Sequence, residues 1–361
     1  MRTFFAVPAV LAVVASWAPV AADETLDNPA YQLVAAADLP VPQPQPQAKT
    51  SSERSEEAGG TSCMNGSCFK CPTLVARFST LCMQRERPES VPIFSNPGGE
   101  SLLDASQFHF DYRPGIDLSL ISNRGCDRAV EVRYLWLDDS RSNAAFDFPA
   151  GNNATDTRPS SFFGSVAGGT ANFHDQSELQ TLEFNLRKHL EWLDLICGFR
   201  YVDFSDRIAG VYTFNDIPGA ETQSWDARNN LYGIQVGAEA ALWESRGGLR
   251  IDASVKAGLY DNQVRTHFLT NFVIGGSAFA NAADDHFAFL GELGFTATYP
   301  LTCHMALRAG YQMLWLDGVA LAGKQVPATG NINAVGEKVS RVDAASTVFY
   351  QGFTSGVEIT W

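Results

Sequence analysis

Charged side chains occupy alternate positions in short segments between residues 74 and 361, and the residues between them are mostly apolar. In residues 249–259, for example, Arg250, Asp252 and Lys256 alternate with Ile251, Val255 and other apolar residues. Seven of these charges are cationic and seven anionic, which favours ion pairing over selection of one sign of ion. Three of the fourteen are Arg77, Asp117 and Glu131. The eleven candidate lumen-lining positions are Arg133, Glu183, Arg187, Arg200, Glu239, Arg250, Asp252, Lys256, Glu292, Arg308 and Glu358.

The charges lie in ten segments whose alternation has the period of a β-strand. The last, residues 348–361, carries Phe349, Phe353, Val357 and Ile359 on one face and mostly polar residues on the other. Such a strand needs a neighbour on both sides, and in a transmembrane barrel its apolar face contacts lipid. The ten segments are 74–85, 116–122, 130–137, 182–189, 195–204, 231–243, 249–259, 287–299, 305–315 and 348–361.

The connections alternate strictly between short turns and long loops rich in Gly, Asn and Asp. This alternation is typical of outer-membrane barrels, and a soluble β-sandwich has no reason to show it. The sequence therefore predicts an all-β fold, a closed antiparallel transmembrane β-barrel of about ten strands with both ends in the periplasm. The predicted long external loops are 86–115, 138–178, 205–229, 262–285 and 318–347.

The N-terminal region predicts export. Residues 1–22 have the charged start, apolar run and small-residue cleavage site of a signal peptide. The Pro-, Gln- and Ser-rich residues 23–72 predict a disordered periplasmic linker, and residues 73–361 the outer-membrane barrel. The formal net charge of −14 argues against nucleic acid as a partner. We expect outer-membrane lipid as one partner, and the barrel assembly machinery as another, through the last strand ending in Trp361.

The cysteines raise one question of metal chemistry. Cys63, Cys68 and Cys71, followed by Cys82, have the spacing of plant-type iron–sulfur ligands. An exported chain enters an oxidising compartment, where thiols pair with one another, so we expect disulfides or a free thiol rather than a cluster or a zinc site. Seven cysteines cannot all pair within one chain.

Catalysis has weak support in the sequence. Asp138 and Asp139 follow one segment, and Asp284, Asp285 and His286 precede another, so both groups would lie at the external rim. Asp is common at strand–loop junctions, however, and the spacing does not reproduce that of outer-membrane proteases. The other histidines are scattered, with no pair at ligand spacing. We therefore expect no enzyme activity, no catalytic residue, no metal site and no cofactor.

Three blocks, residues 113–137, 184–206 and 230–259, resemble the hairpins of the planctomycetal outer-membrane β-barrel family. The piece from Cys197 to Tyr201 also resembles the pore-forming outer-membrane proteins of the Legionella type. The resemblance covers about residues 72–361. It implies fold and location, but no substrate and no catalytic residues.

Two functions follow from these observations. One is a structural or passive pore role for small solutes. The other is a non-conducting scaffold that displays loops 138–178 and 318–347 for adhesion or for a ligand of unknown identity. Ten strands lie nearer the size of filled eight-stranded barrels than of conducting sixteen-stranded ones, which favours a packed lumen. We expect Arg250 to be buried in that packed lumen.

Overall fold

The computed structural model describes residues 72–95, 101–148, 168–215, 218–273, 276–328, 336–338 and 341–361. The chain divides into two units, Met1–Ala58 and Gly59–Trp361, and all that follows concerns the second. The predicted signal peptide, the linker up to residue 71 and the cluster of Cys63, Cys68 and Cys71 lie outside the described residues.

Within the described residues, ten strands form an antiparallel sheet that closes on itself. Two short strands form a separate hairpin, and a third pairs in parallel with one wall strand. The wall strands are β1 (Leu74–Arg85), β4 (Arg113–Asn123), β5 (Arg128–Phe148), β6 (Gly169–His189), β7 (Leu193–Phe214), β8 (Ala220–Glu244), β9 (Arg250–Phe272), β10 (Gly276–Pro300), β11 (Met305–Val319) and β13 (Ser346–Thr360). The remaining elements are β2 (Pro92–Ser95), β3 (Ser101–Asp104), a 3-10 turn (Ala105–Gln107), helix α1 (Ala322–Ala328) and β12 (Gly336–Lys338).

The first and last wall strands join, so the ring has no open edge. β13 pairs with β11 on one side and with β1 on the other. The Trp361 carbonyl accepts the Thr73 amide at 2.7 Å, and the Trp361 amide donates to the Leu74 carbonyl at 2.9 Å. The short turns lie at this same rim, which is the periplasmic rim of an outer-membrane barrel. The predicted closed, all-β barrel of about ten strands is confirmed.

An apolar belt surrounds the half of the barrel nearest the turns. Its side chains point outward, and large ones such as Ile234 and Leu186 are 72% and 65% exposed. Trp243 lies at the turn end of β8 and Tyr232 about 11 residues further along the strand, roughly 25–28 Å along the barrel axis for a strand tilted by about 40°. This height matches the hydrocarbon layer of an outer membrane, so the belt defines the membrane-spanning segment. No described helix is long and apolar enough to cross a membrane.

The wall strands continue well beyond the belt, and this differs from the sequence prediction. Much of the predicted loops 138–178, 205–229 and 262–285 is strand. We call this part the outer extension. It comprises residues 138–148, 169–180, 203–214, 220–230, 261–272 and 276–286.

The alternation reverses its polarity in the outer extension. On β8, Tyr232 and Ile234 point outward in the belt, whereas further along the same strand Trp225 points inward and is 1% exposed. Arg228 on that strand points outward. Water replaces lipid around this part of the wall, so apolar residues belong inside and polar residues outside. The sequence prediction sought an outward apolar face and therefore assigned these stretches to loops.

The interior of the outer extension is filled by two inserted segments, which together we call the plug. One comprises residues 86–95 and 101–112, which include β2, β3 and the 3-10 turn, and the other is α1 with the described residues that flank it. Their apolar residues form one core with inward-facing aromatic residues of the wall. Gly318, at φ +78°, lies at the irregularity near the end of β11, and a Cβ atom there would lie 2.5 Å from the Phe287 carbonyl oxygen.

Candidate functional site

The centre of the membrane-spanning lumen is a cluster of charges around Glu183, which is 0% exposed. Lys256 donates to Glu183 at 2.7 Å, and Arg133 and Arg200 approach its other oxygen at 3.1 and 3.4 Å. Arg200 also binds Glu292 at 2.8 Å. Because Glu183 and Glu292 each contact more than one cation, no single pair carries the cluster. The central cluster consists of Asp117, Arg133, Glu183, Arg200, Lys256 and Glu292.

These contacts join residues that are far apart in the sequence. Arg133 forms two bonds with Asp117, at 2.9 and 2.7 Å, and reaches across the lumen to Glu292. The neutral donors Gln235 and Gln312 complete the coordination of the two glutamates, at 2.8 and 3.0 Å. A buried charge is tolerated when it is paired and hydrogen-bonded in this way. The central cluster therefore fills the cross-section of the barrel.

A second cluster lies nearer the periplasmic mouth. Glu358 accepts bonds from Arg77 at 2.8 Å and from Arg308 at 2.6 Å. Glu239 contacts Arg77 at 3.7 Å and also binds Arg187. We call Arg77, Arg187, Glu239, Arg308 and Glu358 the mouth cluster. The inward faces of all ten wall strands contribute to the two clusters.

One of the eleven candidate positions lies elsewhere than expected. The side chain of Arg250 is 43% exposed and pairs with Asp252 at 3.0 Å. It lies at the first residue of β9, at the turn rim, where the wall no longer encloses it. The expectation that Arg250 is buried in the network is wrong. Asp252 is buried beside Arg250 and belongs to neither cluster. The remaining nine candidates fall into the central cluster (Arg133, Glu183, Arg200, Lys256, Glu292) and the mouth cluster (Arg187, Glu239, Arg308, Glu358).

A small cavity remains between the two clusters. It measures about 90 Å³ and is lined by Arg77, Glu131, Glu239, Arg308 and other polar residues. This volume accommodates a few water molecules. It is far below the volume of about 300 Å³ at which cavities begin to hold small organic ligands.

Above the central cluster, apolar side chains close the lumen. Leu81, Leu179, Leu290 and Leu316 are 0–2% exposed and come from four different strands. They pack in a single cluster together with other inward leucines and aromatic residues. We call this layer the apolar seal. Its further wall members are Met83, Leu135, Leu137, Val202, Phe204, Leu231, Tyr260, Ala288, Leu314, Val319, Val348 and Tyr350.

The plug is fixed to the wall by buried polar contacts. Asn229 donates to the Ala320 carbonyl at 2.9 Å and accepts the Ala320 amide at 2.7 Å. Asp206 accepts the Ala322 amide at 2.8 Å and Arg85 at 2.6 Å. Sequence reasoning missed Asn229 and Asp206 because they lie in a stretch that it assigned to a loop. The signal was present in the inward aromatic residues that alternate with polar ones along the outer extension.

Comparison with known proteins identifies the family. The family described as "Putative beta barrel porin-7 (BBP7)" matches residues 69–361, which is most of the chain. The chain belongs to this family. It is thus a bacterial β-barrel of the outer membrane, as the sequence predicts, whereas the planctomycetal and Legionella-type resemblances remain predictions.

Several solved structures match most of the chain at low sequence identity. The outer membrane protease OmpT of Escherichia coli is 10% identical, with a TM-score of 0.41 over 82% of this chain and 99% of that one. The toluene transporter TodX of P. putida is 7% identical, with a TM-score of 0.21 over 80% and 90% of the two chains. The anion-selective porin from Comamonas acidovorans is 10% identical, with a TM-score of 0.22 over 79% and 98%. No curated protein matches the sequence.

In this BBP7 barrel, the carboxylates considered for catalysis lie within strands β5 and β10 and not at strand–loop junctions. Asp139 pairs with Arg141 at 2.7 Å, next to an irregularity in β5. Asp284 lies 3.3 Å from His286 on the exposed outer wall of β10. No group of three metal-ligating side chains occurs in the part of the chain that the structure describes.

Four of the seven cysteines of this BBP7 chain lie within the described residues. Cys126 is disulfide-bonded, and Cys82, Cys197 and Cys303 are free. A disulfide agrees with the oxidising compartment expected for an exported chain.

Proposed function

We propose that the protein is a closed structural barrel of the outer membrane that does not conduct solutes in its resting state. The observation that supports this proposal is the apolar seal. A layer of side chains with almost no exposed area lies across the lumen between the central cluster and the plug.

The physical argument is the cost of crossing such a layer. An ion or a polar solute would leave the charged clusters and enter a dry region that offers it no hydrogen bonds. Apolar constrictions stop conduction in this way even in proteins that have wider pores on either side. Beyond the seal, a solute would also meet the packed core of the plug.

The outer extension supports a scaffold role for the same barrel. It raises the ends of β5 to β10 well above the belt and so displays the connections between them outside the membrane. The interior charges are engaged with one another, which supports a binding or structural function rather than an enzymatic one. We propose outer-membrane lipid as the surroundings of the belt. We also propose that the strand ending in Trp361 is read by the barrel assembly machinery.

A passive pore is the second candidate. The family description names a porin, and the cavity of about 90 Å³ lies on the axis that a solute would follow. This function needs a second state in which both the plug and the seal move aside.

Single-channel conductance of the refolded protein in a planar bilayer tests the proposal. Three proteins are compared: the native chain, a variant with residues 87–112 and 320–345 each replaced by a short Gly-Ser linker, and that variant with Leu179→Ser and Leu290→Ser added. We expect silence from the first two and discrete steps from the third, because only the third lacks both barriers. A heat-dependent gel shift verifies that each barrel is intact.

Conservative substitutions provide the matched control. Leu179→Ile and Leu290→Ile in the linker variant keep the seal apolar and should remain silent. Steady conductance steps from the native protein, with its barrel intact, would contradict the closed-barrel proposal and support the passive pore.

A further inference from the structure

An arginine patch lies on the outer wall, just beyond the belt, in a chain whose formal net charge is −14. Arg207 on β7, Arg228 on β8 and Arg265 on β9 all point outward, and His267 lies beside them. Arg207 and Arg228 have side chains that are 57% and 60% exposed. These four residues, the arginine patch, line one depression of about 590 Å³.

Two arginines of the patch lie directly opposite each other, so their positive charges repel. Arg228 and Arg265 are direct partners in the antiparallel register between β8 and β9. Like charges directly opposite each other on one face of a sheet destabilise it. An anion placed between the two guanidinium groups would convert this repulsion into attraction.

The neighbouring carboxylates leave one cation uncompensated. Asp203 binds Arg228 at 2.6 Å, and Asp226 binds Arg207 at 3.1 Å. Glu178, also in the depression, accepts the Gln180 amide at 2.7 Å. Arg265 has no ion pair within the ranges that the structure describes. The patch therefore offers a free guanidinium beside two others that are held in place by their aspartates.

The height of the patch above the membrane points to its ligand. Arg228 lies four residues beyond Tyr232, the last belt aromatic on β8, which is roughly 10 Å along the axis for a tilted strand. The headgroup layer extends about 5–8 Å beyond the hydrocarbon on each side, and a flexible arginine side chain can reach down to it. Asp203 is nearer the membrane than Arg228 and holds that guanidinium on the membrane side.

We propose that the arginine patch binds the phosphate of a phosphorylated lipid headgroup in the outer leaflet. Guanidinium groups match phosphate oxygens with pairs of parallel hydrogen bonds, so Arg is the residue type suited to this ligand. The depression would receive the rest of the headgroup. This inference concerns the outer wall and is independent of whether the lumen conducts.

The test counts bound lipid on the full-length protein refolded in detergent. Native mass spectrometry compares a bis-phosphorylated glycolipid with the same glycolipid after enzymatic removal of its phosphates. The double variant Arg228→Gln, Arg265→Gln is compared with Arg141→Gln, which removes an exposed, ion-paired arginine from the outer extension outside the patch. Inorganic phosphate at 10 mM is added in a separate arm.

We expect the native protein and the Arg141 variant to bind the phosphorylated glycolipid equally. The double variant should bind it roughly tenfold or more weakly, because it loses charged hydrogen bonds. Binding of the dephosphorylated glycolipid should be weak and should not differ between variants. Equal binding by the double variant, or an equal loss in the Arg141 variant, would overturn the proposal. Full displacement by inorganic phosphate would assign the patch to free phosphate and would also overturn it.

Discussion

The two halves of strand β6 have opposite polarity. In the belt, Phe184 points to lipid and is 50% exposed, while Glu183 points into the lumen and is fully buried. In the outer extension of the same strand, Phe173 points inward and is 0% exposed, while Gln176 points outward to water. The comparison teaches that one strand can serve two solvents, because alternation specifies two faces and the surroundings decide which face must be apolar.

The largest expected effect on stability comes from the belt half of β6, where the inward face is polar. Replacing Glu183 with Ala leaves Arg133, Arg200 and Lys256 without a shared buried counter-charge. We expect the free energy of unfolding to fall by about 5 kcal/mol, at the upper end for a broken buried ion-pair network. Urea unfolding in detergent micelles, followed by the heat-dependent gel shift, measures it.

The matched control for this variant lies on the same strand. Glu178→Ala removes an outward carboxylate from the water-exposed part of β6 and should cost less than about 1 kcal/mol. Similar losses at the two positions would contradict the idea that the lumen charges hold the barrel together.

The next largest effect comes from the outer extension of β6, where the inward face includes the apolar Phe173. Phe173→Ala removes a ring that packs edge-on against Tyr212, with centroids 5.5 Å apart. We expect a cost of about 3–4 kcal/mol, confined to the outer extension, because the cavity opens in the plug core and not in the membrane. Hydrogen exchange of the plug should accelerate while the gel shift persists. Phe184→Ala, at a lipid-facing position, should leave hydrogen exchange of the plug unaltered. Faster exchange of the plug in both variants would contradict the idea that the two halves of β6 are stabilised independently.

A smaller effect concerns the carboxyl pair beneath α1, in the outer extension. Burial, with the Asp206 carboxylate beside it, raises the pKa of Asp175 well above its usual value, although Arg85 opposes the shift. The folded chain therefore holds a proton on Asp175 at pH values where the unfolded chain has lost it. Stability should decline as the pH rises from about 3.9 through the raised pKa, and then level off.

The variant Asp175→Asn should flatten this decline and resist unfolding better than the native chain at pH 8. Urea titrations of the outer extension at pH 4, 6 and 8 measure the difference. The exposed Asp111→Asn should retain the native pH profile. An unchanged decline in the Asp175 variant would show that another group is responsible.

The smallest effect lies at the start of the 3-10 turn in the plug. Asp104 accepts the Ser106 amide at 2.9 Å and the hydroxyl groups of Ser106 and Ser90 at 2.6 and 2.8 Å. Burial acts in the opposite direction, but these hydrogen bonds lower the pKa of Asp104. Asp104→Ala should cost about 1 kcal/mol. The expected readout is faster proteolysis within 86–112, and Asp104→Asn, which can still cap the turn, should restore much of the resistance.

The sequence predicts the membrane half of this protein well and the outer half poorly, for one physical reason. The predicted segment 74–85 coincides with β1, which lies in the belt and turns residues such as Phe78 outward. In β8 and β9 the inward Trp225 and Phe268 are equally regular, but they point the other way and are surrounded by polar residues. A search for strands with an outward apolar face therefore does not find strands whose apolar face points inward.

The partners in an ion pair cannot be predicted from the sequence either, for a different reason. Alternation assigns Arg133 and Glu292 to the lumen, but the bond between them joins residues 159 positions apart and depends on how the ring closes. The misplacement of Arg250 has a related cause. Alternation gives the face of a residue and not its depth, and Arg250 lies at the mouth.

The joint between β1 and β13 has a consequence for how the barrel reaches its native state. Arg77 and Glu358, which face each other there, are 281 residues apart. Contacts of such long range make folding slow, since the intervening chain must be ordered before they form. Until β13 docks, both β1 and β11 have free strand edges that can pair with other chains. Aggregation during biogenesis should therefore be limited by the lifetime of this open ring, and a chaperone that protects those two edges would improve the yield of folded protein.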